Sequence, residues 1–277
     1  MLNRHLHRWN LGVLGLVYCL GFGPANGATT VTLQPDSSGT SNADAFVTTG
    51  PSDIYVGVNY GGAGALAVSA SSAKGTFETL LRVDVSTAVA TFDATYGAGQ
   101  WQVDSVSLKL SSLEPNNPLF NGPNTAGQFS ISWFDNDGWV EGTGGTNSAT
   151  TTGIKWSEVA ALTAAAESQG VFNYTGTGLA EYALNPSAGL LADILAGGPL
   201  GLYLQPADSS MSATFGSRSN ASNRPALIVT ASAIPEPTRV MLVLAGVLAC
   251  ASCRRRPGVA GSPALHPQNH CGDHAAG

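Results

Sequence analysis

Apolar and polar residues alternate with a period of two along much of the centre of this 277-residue chain. The alternation is clearest in four segments, 81–85, 106–110, 129–133 and 200–204. Such a pattern indicates strands that have one face in the protein core and the other face in water. The inward-facing residues that we expect to be buried are Leu81, Val83, Leu108, Ile131 and Leu204.

Shorter apolar runs predict further strands at 44–48, 54–58, 65–70, 171–175, 212–216 and 226–230. Clusters of Gly, Pro and Asn separate the runs and are typical of turns. Two stretches instead have helical spacing: 157–168, with Ser157 as its N-cap, and 187–196, with Ser187 as its N-cap and Gly197 after it. The pattern predicts an all-β fold, a single jelly-roll-like β-sandwich with one or two short helical excursions.

The N-terminal segment predicts export. Residues 1–27 contain a basic start, an apolar core of 12 residues and small residues before a cleavage point near Ala28. These are the parts of a signal peptide that signal peptidase removes. The alternative, a retained membrane anchor, needs about 20 apolar residues.

A second short apolar run, 240–251, lies near the C-terminus. This run is short for a membrane span. An arginine cluster follows it, and the positive-inside rule predicts that this cluster stays in the cytoplasm. We expect the chain to divide into a signal peptide (1–27), a β-sandwich domain (28–233), a stop-transfer segment (234–256) and a polar, disordered tail (257–277). The residues that flank the run are Pro235, Glu236 and Pro237 before it and Arg254, Arg255 and Arg256 after it.

Composition limits the chemistry of the central domain. All four cysteines and all five histidines lie outside residues 31–233, which excludes a disulfide framework, a His-dependent nucleophile and a zinc site built on His or Cys there. Six basic and sixteen acidic residues give this region a formal charge of −10. An acidic surface repels phosphate backbones, so we expect no nucleic-acid partner.

Candidate binding chemistry is concentrated in the loop sequence FDNDGWVEG. Trp139 is a candidate exposed platform for a sugar ring, with Asp137 and Glu141 accepting hydrogen bonds from hydroxyls. The alternative is that Trp139 packs in the core, as large aromatic residues in such domains more often do. Asp135, Asp137 and Glu141 are also candidate calcium ligands, although the EF-hand spacing is absent and a solvated acidic turn is the alternative. A glycosidase needs two carboxylates about 5–10 Å apart, which the spacing does not establish, so we expect no enzyme activity.

Several segments resemble, in order, the secreted β-sandwiches known as DNRLRE-type domains. Residues 77–84 (FETLLRVD) resemble the family's LLRFDL strand, and 139–144 (WVEGTG) resemble its WTEGTG loop. The segments 106–110, 200–206 and 223–230 resemble three further strands of the family. The resemblance implies a non-catalytic jelly roll, similar to carbohydrate-binding modules and associated with extracellular polysaccharide.

The order Pro-Glu-Pro, short apolar run and arginine cluster resembles the PEP-CTERM sorting signal. In that family an exosortase-type membrane protease reads the Pro-Glu-Pro motif, here Pro235, Glu236 and Pro237, and releases the protein from a transient inner-membrane anchor. The resemblance implies delivery to the cell envelope, the outer surface or the extracellular matrix. We therefore expect a non-catalytic protein that associates with polysaccharide. The alternatives are a structural adhesin without a sugar site and a polysaccharide lyase or hydrolase.

Overall fold

The computed structural model describes residues 27–36, 40–70, 73–114, 123–176 and 178–235, together with Gly246. By its internal contacts the chain divides into two units, Met1–Ile234 and Pro235–Gly277. Every strand and helix named below belongs to the first unit, and the second contributes only Pro235 and Gly246 to the described residues.

Strands dominate the first unit, with three α-helices between them. The elements in chain order are β1 (Thr29–Leu33), β2 (Ala43–Thr48), β3 (Ala65–Ser69), β4 (Phe77–Asp84), α1 (Ser86–Tyr96), β5 (Trp101–Ser111), β6 (Gly127–Phe134), α2 (Trp156–Leu162), β7 (Glu167–Tyr174), β8 (Leu179–Ala183), α3 (Ala188–Ala196), β9 (Pro199–Pro206), β10 (Ser212–Gly216) and β11 (Ala226–Ala233).

The strands form two antiparallel sheets. The four-stranded sheet has the order β1-β11-β5-β8, and the seven-stranded sheet has the order β10-β3-β4-β9-β6-β7 with β2 also paired to β4. In the smaller sheet Thr29 lies opposite Ala231 and Leu33 opposite Leu227. The first and last strands of the unit are therefore neighbours.

The main hydrophobic core contains side chains of both sheets. Leu108 and Val106 of β5 share this core with Leu81 of β4 and Leu204 of β9. The five residues that the alternation places inside, Leu81, Val83, Leu108, Ile131 and Leu204, are at most 1% exposed. The prediction of a mostly β fold with these inward faces is confirmed, and the arrangement is that of a β-sandwich.

The outer face of the seven-stranded sheet is also covered, contrary to the expectation of one wet face per strand. Leu80, Phe134 and Tyr203 alternate with core residues yet are buried. Ile154 and Val159, from the loop after β6 and from α2, pack with them in a second apolar cluster. The segment that follows β6 therefore lies across this sheet and buries its second face.

Local sequence patterns predicted most strands and both short helices, with corrections. Residues 54–58 form turns rather than a strand, because positive φ angles of 55° at Ser52 and 60° at Asp53 bend the preceding backbone.

α3 begins after Ser187, whose hydroxyl accepts a hydrogen bond from Leu190 N, and ends at the left-handed Gly197, as predicted. α2 begins one residue before the predicted N-cap Ser157 and ends at Leu162, because residues 167–174 pair as β7. The strands β1 and β8 and the helix α1 were not predicted.

The predicted targeting segments fall mostly outside the described residues. This applies to the signal peptide before Gly27, to the stop-transfer segment after Pro235 except Gly246, and to the polar tail. Among the residues that the structure describes, no helix has the length and apolarity needed to cross a membrane.

Candidate functional site

The loop that carries the candidate binding residues is fastened to the seven-stranded sheet by Arg82 of β4. Arg82 Nη1 donates hydrogen bonds to the carbonyl oxygens of Asp137 (2.6 Å) and Trp139 (2.7 Å). Its Nη2 and Nε atoms donate to the carbonyl oxygens of Thr40 (2.7 Å) and Ser41 (3.2 Å). The guanidinium carbon also lies 5.2 Å from the Trp139 ring centroid, within range of a cation–π interaction. One side chain thus fixes the backbone and ring orientation of this loop.

A second arginine, Arg218, holds the end of the loop through Glu141. Arg218 Nε lies 3.0 Å from Glu141 Oε1 and 2.9 Å from Oε2, and Nη2 also donates to Oε2. The two side chains are only 14% and 16% exposed. Although burial opposes it, the hydrogen bonds and charge of Glu141 raise the pKa of Arg218. The Glu141 carboxylate, a candidate calcium or sugar ligand, is therefore bound to Arg218.

Asp44 lies beside this ion pair and is 2% exposed. Its carboxylate accepts a hydrogen bond from the backbone N–H of Arg218. Burial, with a contribution from the Glu141 charge, raises the pKa of Asp44 to about 7, against the opposing effects of the hydrogen bond and charge of Arg218. Asp44 is therefore a buried acid that changes charge near neutral pH.

Asn59 joins three loop segments below the site. Its Nδ2 donates to the carbonyl oxygens of Glu141 (2.7 Å) and Ile154 (2.8 Å), while its Oδ1 accepts from Gly61 N and Gly144 N, each at 3.1 Å. All four bonds belong to one fully buried side chain. The amide satisfies backbone groups that would otherwise be buried without partners.

The expectation that Trp139 is an exposed platform is wrong. Trp139 is 6% exposed and packs in the second apolar cluster with Ile154, Val159 and Tyr203. Its indole Nε1 is buried without a hydrogen-bond acceptor among the described residues. Sequence spacing alone does not reveal this burial, because the residues that cover Trp139 are distant in the chain. Ile154 and Val159 follow it by 15 and 20 positions, and Arg82 lies on β4.

The three candidate calcium ligands do not form one set. Asp135 is exposed, Asp137 is partly buried, and Glu141 is held by Arg218. In the part of the chain that the structure describes, no group of three or more His, Cys, Asp or Glu side chains is arranged to hold a metal ion. The structure therefore does not bring the candidate calcium ligands Asp135, Asp137 and Glu141 together as one coordinating group.

Asp137 nevertheless has an unusual environment. Burial, with the neighbouring charges of Asp193 and Asp135, raises the pKa of Asp137 to about 7, although the positive charge of Arg82 opposes the shift. Its Oδ1 is buried and has no hydrogen-bond partner within the described residues. Asp193 accepts a hydrogen bond from Trp133 Nε1 at 2.9 Å. Asp137 on the loop is therefore, after Asp44 on β2, the second carboxyl group with a pKa raised to about 7.

An open pocket lies between this loop and α2. Its volume is about 340 Å³, close to the lower end of the range of about 300–1,000 Å³ for small-molecule sites. Glu158, the charged residue of its lining, forms an ion pair with Lys155 at 2.8 Å. The lining residues are Asn136, Gly138, Trp139, Ile154, Glu158, Ala161 and Leu162. The pocket shares Trp139 with the predicted sugar site but not Asp137 or Glu141.

Sequence reasoning missed the residues that organise the site, namely Asn59, Arg82 and Arg218. Each acts across a long sequence separation, such as the 77 positions between Glu141 and Arg218. Of the predicted sorting residues, Pro235 is exposed, whereas Glu236, Pro237 and the arginine cluster lie outside the described residues.

Comparison with known proteins identifies no family. No protein-family model matches the chain, and no curated protein matches it. Among solved structures, a similar chain occurs in the cryo-EM structure of Mud crab tombus-like virus, with 12% sequence identity and a TM-score of 0.25. The similarity covers 88% of this chain and 99% of the viral chain. At this TM-score it carries no argument about fold or function.

Proposed function

We propose that this chain is an exported, non-catalytic protein of the cell envelope or extracellular matrix that associates with polysaccharide. An exosortase-type membrane protease reads Pro235, Glu236 and Pro237 while the segment that ends in Arg254, Arg255 and Arg256 is transiently anchored in the inner membrane. Cleavage then releases the β-sandwich, which we propose has the jelly-roll arrangement of the DNRLRE-type domains.

The observation that carries this proposal is that the described strands begin and end just inside the two proposed processing points. β1 begins at Thr29, just after the proposed signal-peptidase cleavage point, and β11 ends at Ala233, just before Pro235. The last described contact before the motif is a hydrogen bond from Ile234 N to Gln100 O at 2.9 Å. Removal of both terminal segments would therefore leave every strand of the two sheets intact, as expected for a protein that is processed at both ends.

The pocket beside Trp139 supports the polysaccharide part of the proposal. It combines an apolar wall with polar groups at its edge, which is the mixture that a sugar ring requires because the ring has apolar C–H faces and hydroxyls around its rim. Residues 31–233 carry a formal charge of −10. That charge favours uncharged over acidic polysaccharides, because like charges repel.

The sorting part is tested by expressing the full chain in a bacterium that contains an exosortase and in the same strain without that gene. We expect the envelope-derived protein to begin near Ala28 and to end near Pro237, and we expect the deletion strain to retain the C-terminal segment. Intact-mass measurement reads both ends. Glu236→Ala should prevent release, whereas the neighbouring control Ile234→Ala should not. A surface-delivered protein that still contains Arg254–Arg256 would contradict the proposal.

A further inference from the structure

The pocket between α2 and the loop after β6 has a definite chemical character. Ala161 and Leu162 of α2 supply accessible apolar surface. Trp139 and Ile154, which are 6% and 4% exposed, complete the apolar wall, and Asn136 and Glu158 supply polar groups. Asn136 Oδ1 already accepts a hydrogen bond from Gly138 N at 3.1 Å, which leaves the Asn136 amide N–H groups as donors. Glu158 Oε1 contacts Lys155 Nζ at 2.8 Å, and Oε2 accepts a hydrogen bond from Lys155 N at 3.3 Å. Each carboxylate oxygen retains a second lone pair as an acceptor. A donor and an acceptor therefore flank an apolar wall.

The charge around the pocket favours neutral ligands. Glu158 is the charged lining residue, its side chain is 47% exposed, and the Lys155 ammonium offsets its charge. The repulsion that opposes binding of an acidic sugar therefore comes from the formal charge of −10 of residues 31–233. A neutral sugar meets no such repulsion, and its hydroxyls match one amide donor and one carboxylate acceptor. The lining also places the indole of Trp139 within a fixed wall, because Arg82 holds both its carbonyl oxygen and its ring.

We propose that this pocket binds one uncharged sugar residue of a polysaccharide, with the apolar wall contacting the C–H face of the ring and Asn136 and Glu158 binding its hydroxyls. This inference rests on the polysaccharide association proposed above and names its site and ligand class. It differs from the loop site expected from the sequence, because α2 contributes part of the pocket while Glu141 is engaged by Arg218.

Ala161 provides a test that does not disturb the core. It lies on the exposed side of α2 and lines the pocket, so Ala161→Trp places an indole in the pocket while the buried residues stay unchanged. Ala160 is also exposed and lies in the same helix but does not line the pocket, so Ala160→Trp is a matched control. Glu158→Gln separately tests the carboxylate.

The full-length chain, purified in detergent, is titrated by calorimetry with neutral hexasaccharides of β-1,4-glucan, β-1,3-glucan and α-mannan, and with a mannuronate hexasaccharide as the acidic probe. We expect binding of at least one neutral probe, a loss of at least tenfold in affinity in Ala161→Trp, a smaller loss in Glu158→Gln, and no change in Ala160→Trp. Melting temperatures of all variants check that the fold is retained.

The remaining outcomes separate the two proposals. Neutral binding that survives Ala161→Trp unchanged, or binding of mannuronate alone, overturns the pocket assignment and leaves the polysaccharide association standing. Failure of the wild-type chain to bind any of the four probes, or the corresponding polymers in a pull-down, overturns the polysaccharide association as well and favours an adhesin without a sugar site.

Discussion

At the scale of single residues, two of the six basic side chains in residues 31–233 account for the position of the candidate loop. Arg82 contacts four backbone carbonyl oxygens, and Arg218 pairs with Glu141 and also donates to the carbonyl oxygen of Asp36 at 2.6 Å. A guanidinium group can bind several loop oxygen atoms at once because its N–H donors lie in one fixed plane. The group also remains charged when it is partly buried. Loop position thus depends on two specific cations more than on loop sequence.

The Arg218–Glu141 pair gives the first prediction. Arg218→Met removes the cation and leaves the Glu141 carboxylate largely buried without its partner, so we expect a loss of about 3 kcal/mol in unfolding free energy. Replacing both partners, as Arg218→Met with Glu141→Leu, should be less destabilising than Arg218→Met alone, because no unpaired charge remains. Urea denaturation of both variants measures the difference. A double variant less stable than the single one would mean that the pair is not the dominant contact of Arg218.

The main core gives a second prediction at this scale. Leu108→Ala should cost about 2–4 kcal/mol, because Leu108 is fully buried between the sheets and its loss leaves a cavity. Ser105→Ala, three positions earlier on the same strand and exposed, is the control and should change stability by less than about 0.5 kcal/mol. Denaturant midpoints with unchanged slopes are the measurement.

At the scale of secondary-structure elements, the sequence pattern predicts the features that depend on residues close together in the chain. Alternation identified β4, β5, β6 and β9, because each of these strands has one face in the core between the sheets. The helix α1 escaped prediction because only Ala88 and Phe92 of it are buried, and its three threonines are weak helix formers. The covering of the outer face by the loop after β6 also escaped prediction, since alternation does not show what packs on the second face. For the same reason the sequence leaves open whether Trp139 is exposed or packed, and the structure shows it packed.

Asn59 gives a prediction for the loops as a unit. Asn59→Ala removes four hydrogen bonds that join the segments at 61, 141–144 and 154, so we expect these loops to open together while both sheets persist. Hydrogen exchange followed by mass spectrometry should show faster exchange at 139–154 and little change in β5 and β11. Asn185→Ala, at an exposed position between β8 and α3, is the control. Uniformly faster exchange in all strands would contradict a local role.

At the scale of the whole molecule, acidic groups with opposite pKa shifts set the response to pH. The pKa values of Asp44 and Asp137 are raised to about 7, mainly by burial, and burial also raises the pKa of Glu78 against the hydrogen bond from Tyr203. Hydrogen bonds from Ser86 lower the pKa of Asp84 against the opposing effect of burial. The raised groups bind protons in the folded chain at pH values where the unfolded chain has released them.

This proton balance fixes the sign of the last prediction. Between about pH 4, the ordinary range of an aspartate in the unfolded chain, and pH 7, the folded state holds the protons of Asp44 and Asp137, so unfolding releases protons and stability falls as pH rises. Above pH 7 both states are ionised there and this contribution no longer changes. Below about pH 4 the lowered pKa of Asp84 acts in the opposite direction, because its stabilising contribution is lost on protonation.

We therefore expect the melting temperature to be higher at pH 5 than at pH 8, measured by calorimetry at constant ionic strength. Asp44→Asn should flatten this dependence, because asparagine keeps an oxygen acceptor for the Arg218 N–H and cannot ionise beside Glu141. Asp135→Asn, at an exposed position of the neighbouring loop, should leave most of the slope in place. The net negative charge of residues 31–233 also lowers stability as pH rises, because repulsion among acidic groups increases with their ionisation. If the melting temperature instead rose from pH 5 to pH 8, the buried carboxyl groups would be ionised in the folded chain throughout, and the backbone N–H and charge of Arg218 would outweigh the burial of Asp44.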